Sequence, residues 1–228
     1  MLLRKIKGIT IVFSICVLFA LTATQIQYFS NERVSANNVS FIIDPGHGIP
    51  DGGAVGTDGT AEQELNLAIS LKLSEKLKNL GFPNILTRTD ENSIYAEGET
   101  IHEKKVSDIN QRIKIANDYK GIPLISIHMN TFPNQSVKGI QVFYSSKNEQ
   151  SMNLAKKIQA ALNENFQSEK PRVIKPIPKN IYLFSHIDNP AIIIECGFIS
   201  NNDELKLLKG NEYQENLADT IAIALSNS

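Results

Sequence analysis

The sequence predicts an α/β fold, a single domain built on a twisted, mostly parallel sheet with helices on both faces. Three observations lead there. Short apolar runs rich in β-branched residues recur along the chain, segments with helical spacing of apolar residues fall between most of them, and only one pair of runs is joined closely enough to be antiparallel. The 228 residues, 42% of them hydrophobic, suffice for one sizeable core, and no repeat or low-complexity tract marks a second module.

The first strand is read over Val39 to Asp44, where an apolar run enters Asp44-Pro45-Gly46-His47-Gly48 and the Pro-Gly turn presents a histidine. A helix follows over Glu64 to Leu80, because Leu65, Ala68, Ile69, Leu73, Leu77 and Leu80 keep helical spacing and Gly81 stands at the stop. A short strand is expected at Ile85 to Arg88. Glu91 to Val106 is charged and aperiodic, which reads as a surface loop, and a second helix is expected over Ser107 to Tyr119. Strands at Leu124 to His128 and Ile140 to Tyr144 come next, the latter antiparallel, followed by a helix over Gln150 to Phe166. Gln167 to Asn189 holds Pro171, Pro176 and Pro178 and reads as a second long loop. Loops of this length are commonly functional, so both are placed at the rim of a cleft. A strand at Ala191 to Glu195 and a helix over Glu212 to Ser226 complete the pattern.

The N-terminus departs from this rhythm. Arg4, Lys5 and Lys7 precede an almost wholly apolar stretch from Ile9 to Ala23, which reads as a secretory signal or a short membrane anchor. Small residues at Val34-Ser35-Ala36 and at Leu21-Thr22-Ala23 offer two cleavage sites, and an uncleaved anchor stands beside them. The expected organisation is therefore an export segment with its linker over residues 1–36 and a catalytic domain over 37–228, placed outside the cytoplasm. Residues 1–36 hold four of the 23 basic and one of the 24 acidic side chains, so the remainder carries a net charge of −4. That balance argues against a nucleic-acid partner. Cys16 lies in the apolar stretch and Cys196 in the body, so no intramolecular disulfide is expected.

Three strands end on side chains able to bind metal or move protons: His47 just past the first, His128 on the third and Glu195 on the last. In open α/β sheets ligands bind beyond the carboxyl ends of the strands, where residues distant in sequence converge. Two histidines and a carboxylate with an open fourth position form a catalytic zinc set. Glu62 and Glu64, 15 and 17 residues after His47, are both candidates for that carboxylate, and Glu62 is better placed to point back toward the sheet edge. The same residues also have an ordinary structural reading, in which His47 decorates a turn, His128 is a hydrogen-bonded core histidine and Glu62 complements the helix dipole. A dinucleotide site at Gly46-His47-Gly48 is excluded, because the third glycine of that fingerprint is missing.

Six segments occur in order: Ile43 to Gly48, Glu62 to Ile69, Thr87 to Asp90, Asp108 to Arg112, Ile125 to Asn130 and Pro190 to Asn201. Together they resemble the successive signatures of zinc-dependent N-acetylmuramoyl-L-alanine amidases of the Amidase_3 type. The resemblance implies that His47, Glu62 and His128 bind zinc and that Glu195 is the catalytic carboxylate. It also implies peptidoglycan as substrate, with cleavage between the lactyl group of N-acetylmuramic acid and L-alanine. The compact layout is most similar to the spore-cortex and germination amidases of endospore formers, which implies a role in making muramic-δ-lactam. With no wall-binding module visible, a membrane tether or an unidentified recruiting or activating protein is expected to bring the enzyme to its substrate. The alternatives are an idle peptidoglycan-binding protein on the same fold and a vegetative autolysin. Leu183-Phe184-Ser185 departs from the family, which usually shows an apolar pair followed by Arg. Arg88, Asp90 and Arg112 match family positions but are expected to be structural. Cys196 is read as an inert buried residue and His186 as a loop residue near the cleft.

Overall fold

The structure, a computed structural model, describes residues 38–166 and 171–227. The export segment expected over residues 1–36, with Cys16, lies outside the described residues. Among the described residues no helix is long and apolar enough to cross a membrane.

In chain order the elements are β1 (Phe41–Pro45), α1 (Glu62–Asn79), β2 (Asn84–Leu86), α2 (Ile101–Asp118), β3 (Leu124–Asn130), β4 (Gln141–Tyr144), α3 (Glu149–Asn165), β5 (Lys175–Pro176), α4 (Tyr182–Ser185), β6 (Ala191–Phe198), α5 (Asn202–Lys209) and α6 (Asn211–Ser226). The strands form one sheet in the order β2-β1-β3-β6-β4-β5. Among the strand pairs of the described residues, β4–β6 alone is antiparallel. The short loop before β4 forces that pairing, since a parallel return needs a crossover of a dozen residues or more.

Alternation along the strands sorts the side chains onto two faces. On one face Phe41, Ile43, Ile125, Ile127, Ile192 and Ile194 pack beneath Ile69 and Leu73 of α1, Ile158 of α3 and Ile221 of α6. Each such side chain contributes roughly 1.5–3 kcal/mol of burial, so this layer anchors the sheet. The other face carries Ile42, Leu124 and Ala191 under Ile109, Ile113 and Ala116 of α2 and Leu183 and Phe184 of α4. Followed toward the carboxyl ends, the same alternation makes this second face polar, with Asp44, Ser126, His128 and Glu195.

Several boundaries differ from expectation. Helix α2 starts at Ile101 rather than Ser107, because Thr100 caps it: its side chain accepts from Glu103 N at 3.2 Å while Glu103 Oε2 accepts from Thr100 N at 2.9 Å. This capping box was present in the sequence, but the first turns of α2 are mostly solvent-facing and carry no apolar period. Helix α5, capped by the Asn201 side chain on Asp203 N and Glu204 N, was not expected at all. Strands β3 and β6 continue past His128 and Glu195, so neither residue ends its strand. The first loop does border the carboxyl edge, where Ser93 N donates to Ile49 O at 3.0 Å. The proline-containing segment divides. Arg172 donates to Lys138 O at 2.6 Å near the start of β4, whereas Asn189 donates to Tyr119 O and Ile122 O just before β3. His186 therefore sits at the opposite end of the sheet from His128, and the expected placement near the cleft does not hold.

Candidate metal centre and active site

His47 follows β1 with φ at +60°, a left-handed conformation that is unfavourable for a residue with a side chain. Two buried guanidinium groups hold the turn in place. Arg88 donates to Pro45 O at 3.0 Å and Gly46 O at 2.9 Å, and Arg112 donates to Pro45 O at 2.8 Å and His47 O at 2.6 Å. All three carbonyls of the turn are thereby satisfied by charged donors. Arg112 is itself fixed by Asp108 at 2.8 Å and by Asp44 at 2.5 Å. Asp44 also accepts from Thr87 at 2.6 Å and Ser126 at 2.7 Å. Burial alone would raise the Asp44 carboxyl, but Arg112 and the two hydroxyls hold it down at about 2.

Glu62 is the first residue of α1, where the helix dipole favours a carboxylate. Its Oε2 accepts from Ala54 N at 2.9 Å and its Oε1 from Met129 N at 3.1 Å. Around these bonds stand the two imidazoles, His47 Nε2 at 3.3 Å from Oε2 and His128 Nδ1 at 2.9 Å from Oε1. One donor atom from each of His47, Glu62 and His128 lies within 4.8 Å of the other two. Glu64 is exposed on α1 and takes no part, which resolves the choice between the two glutamates geometrically.

Asp51 is a residue that the sequence reading missed. Its Oδ2 lies 2.9 Å from His47 Nδ1, so Nδ1–H donates there and Nε2 is turned toward Glu62. Lys105 of α2 pairs with the same oxygen at 2.9 Å. Burial opposes a charge on His47, yet Asp51 and Glu62 together push the imidazole up to about 9. The same imidazoles hold the Glu62 carboxyl far below the usual range, against its burial. The only sequence signal for Asp51 is a carboxylate four residues past His47 in a glycine-rich turn.

The surroundings fit an ion. A Cβ on Gly46 would lie 2.2 Å from His128 Cε1, and one on Gly53 would lie 2.6 Å from Glu62 Oε2 and 2.7 Å from His47 Cδ2. Glycines thus leave the space in which the three donors converge. Two imidazole nitrogens and a carboxylate oxygen form a donor set suited to a first-row divalent cation.

Glu195 stands opposite His128 in the β3–β6 register and on the same face. Its Oε2 is sealed from solvent and has no hydrogen-bond partner. Burial, with Glu62 adding repulsion and the imidazoles opposing, raises its carboxyl to about 7. A buried carboxylate without a donor is costly, and a value near neutrality suits proton transfer.

The sequence profile of the family described as N-acetylmuramoyl-L-alanine amidase matches residues 41–227. The chain belongs to the N-acetylmuramoyl-L-alanine amidase family. It is 36% identical over 180 residues to the germination-specific N-acetylmuramoyl-L-alanine amidase of Bacillus subtilis (strain 168), covering 78% of this chain and 75% of that protein. The CwlD amidase from Clostridioides difficile, solved in complex with the GerS lipoprotein, is similar with a TM-score of 0.78 and 38% identity over 83% of this chain and 98% of that one. An N-acetylmuramoyl-L-alanine amidase from Clostridium difficile 630 is similar with a TM-score of 0.70 and 29% identity, over 82% of this chain and 95% of that one.

Other residues of this amidase domain have structural parts to play. Asn130 caps its own turn, accepting from Thr131 N at 2.8 Å while its carbonyl accepts from Ile199 N at 2.9 Å. Cys196 points to the opposite face of β6 from Glu195 and is fully buried, and burial keeps its thiol protonated. A buried neutral thiol is no nucleophile. Asp90 contributes through its backbone, its carbonyl accepting from Arg88 at 2.8 Å.

Proposed function

We propose that this amidase domain is a zinc enzyme that hydrolyses the bond between the lactyl group of N-acetylmuramic acid and the L-alanine of a peptidoglycan stem peptide. The observation that carries the reading is the convergence of His47, Glu62 and His128 within 4.8 Å, with the unpartnered oxygen of Glu195 one strand away. Zinc held by those three residues supplies a Lewis acid that polarises a carbonyl and lowers the pKa of a water to about 7. Asp51 fixes the His47 tautomer, and the paired guanidiniums fix its backbone. Glu195 takes a proton from the attacking water and passes it to the amine of L-alanine, which leaves poorly unprotonated.

An idle binding protein on the same fold is the weaker reading, because such a role gives no reason to keep an unpartnered carboxylate beside the three donors. The substrate is extracytoplasmic, so residues 1–36 act as a signal or a membrane anchor and residues 37–228 as the catalytic domain. The similarity to a germination-specific enzyme and to CwlD supports work on spore cortex, in preparation for muramic-δ-lactam formation. CwlD was solved with a lipoprotein, which supports a recruiting or activating partner here too.

Digestion of purified peptidoglycan, read by mass spectrometry, tests the activity. The expected products are stem peptides with a free L-alanine amine and glycan with a bare lactyl carboxylate. Chelation abolishes the reaction and zinc restores it. Hydrolysis that persists in protein shown to be metal-free would overturn the zinc assignment, and intact lactyl-alanine bonds would overturn the activity.

A further inference from the structure

We propose that Asn66 is the positioning residue that joins the two halves of the metal centre, an inference that rests on the zinc reading above. Asn66 lies one helical turn after Glu62 on α1 and is fully buried. Its Nδ2 donates to two acceptors at once, Glu62 Oε1 at 3.3 Å and Gly46 O at 3.1 Å. The first belongs to a metal-facing carboxylate. The second belongs to the residue before His47, at the point where the missing Cβ gives room to the His128 ring. One amide group therefore touches Glu62 directly, sets the backbone beside His47, and fixes the wall against which His128 packs.

The amide orientation follows from chemistry. Both neighbours are acceptors, so rotating the amide by half a turn would set Oδ1 against two oxygens. In the observed orientation Oδ1 is buried and has no partner. An apolar side chain would fill this position without orphaning an oxygen, so Asn66 is a poor choice for stability alone. What it supplies is a fixed direction for Glu62 Oε1, which also receives Met129 N and faces His128 Nδ1. Removing the Asn66 donor leaves Met129 N as the remaining amide donor to Oε1 and takes away the side-chain group that bonds both Glu62 and Gly46 O. Arg88 Nη2 still bridges Gly46 O and Gln63 O of α1, each at 2.9 Å, so the turn keeps its seat on the helix and what is lost is the direct tie between Gly46 and the Glu62 carboxylate.

The test compares zinc affinity with metal-free stability in full-length protein. Asn66→Leu keeps the number of side-chain heavy atoms but removes both donors, and Asn66→Asp keeps the shape while replacing donors with acceptors. Both variants are expected to bind zinc at least about 10-fold more weakly in chelator competition, as outer partners of metal ligands typically do when lost. The visible spectrum of the cobalt(II)-substituted protein should change as well. Ser70→Ala, a buried unpartnered hydroxyl one turn further along the same face, should leave both readouts unaltered. Unchanged zinc affinity and cobalt spectrum in either folded Asn66 variant would overturn the proposal, as would an equal loss in Ser70→Ala. If Asn66→Leu fails to fold, Asn66→Asp carries the test. Wild-type protein that binds no zinc would instead bring down the zinc reading itself.

Discussion

Arg112 Nη2 donates to the carbonyl oxygen of His47 at 2.6 Å, across 65 positions of sequence. A residue in the fourth turn of α2 thus governs the backbone of an imidazole that faces the metal site. The bond explains how a non-glycine residue is kept at a φ of +60°, since a charged donor on its carbonyl offsets a conformation that costs about 1–2 kcal/mol. Because the same guanidinium neutralises the buried Asp44, the site and the core share one ion-pair network.

Arg112→Met is therefore expected to destabilise the metal-free protein by about 3–5 kcal/mol, the cost of leaving a buried charge without its partner. Denaturant titration at pH 7 measures it. Asp44 has a depressed pKa of about 2, so its contribution is present above its unfolded value of 3.8 and is lost as pH falls through about 2. The deficit of the variant should accordingly shrink toward pH 2. A pH-independent deficit would show that packing, not charge, is what Arg112 supplies.

Gly46→Ala should strip the site of metal. Its Cβ would overlap the His128 ring at 2.2 Å, so the imidazole must leave the donor set. Zinc content after dialysis should fall to that of a His128→Ala variant. Gly59→Ala is the matched control, because it also adds a Cβ but meets nothing within 4 Å. It should lose about 1 kcal/mol through its positive φ while keeping its zinc.

Glu195→Gln is expected to retain metal and lose turnover by roughly 10²- to 10⁴-fold. The same change should stabilise the metal-free fold. A carboxyl raised to about 7 favours folding fully only below its unfolded value near 4.5, and that advantage is gone once pH passes 7. At pH 8 the variant should thus be more stable than wild type, by on the order of 1–3 kcal/mol. Thermal melts at pH 4 and pH 8 check it, with the gain expected only at the higher pH. Loss of zinc in this variant would make Glu195 a ligand instead.

Zinc binding at pH 7 should release about one proton from His47. In the metal-free protein its imidazole is raised to about 9, so it is charged at neutrality, and a ligand must be neutral. The stability this charge confers is complete below 6.5 and disappears as pH rises through about 9, while apparent zinc affinity climbs over the same interval. Calorimetry in buffers of different ionisation enthalpy reads the proton count. In Asp51→Asn the release should fall, since one of the two carboxylates that raise His47 is gone.

Five of the six strands and the antiparallel β4 were legible in the sequence because apolar runs and Pro-Gly turns are local signals, whereas β5, two exposed residues in a proline-containing segment, was read as loop. His47, Glu62, His128 and Glu195 lie where the family signatures put them, and the structure brings them together. What could not be read was anything that depended on one side chain reaching another element. Asp51 looks like a turn residue until its carboxylate is found on His47 Nδ1. Arg88 and Arg112 were expected to be structural, but which backbone they hold shows only when their donors are found on three carbonyls of the His47 turn. The start of α2 was hidden for a different reason: an exposed first turn obeys capping chemistry and has no hydrophobic period to display.

The register that sets Glu195 opposite His128 also constrains how this enzyme can diverge. Parallel strands stand about 4.8 Å apart, so the gap between imidazole and carboxylate is imposed by the backbone ladder and is insensitive to side-chain repacking. A single-residue insertion or deletion between Ala191 and Glu195 would turn the carboxylate toward the apolar layer and bring a hydrophobic residue to face the scissile bond. Length variation in β6 is consequently lethal to the chemistry, whereas the connection after β3 lies outside the ladder and is free to lengthen. New substrate ranges in this lineage should arise by remodelling that connection around a spacing that never changes.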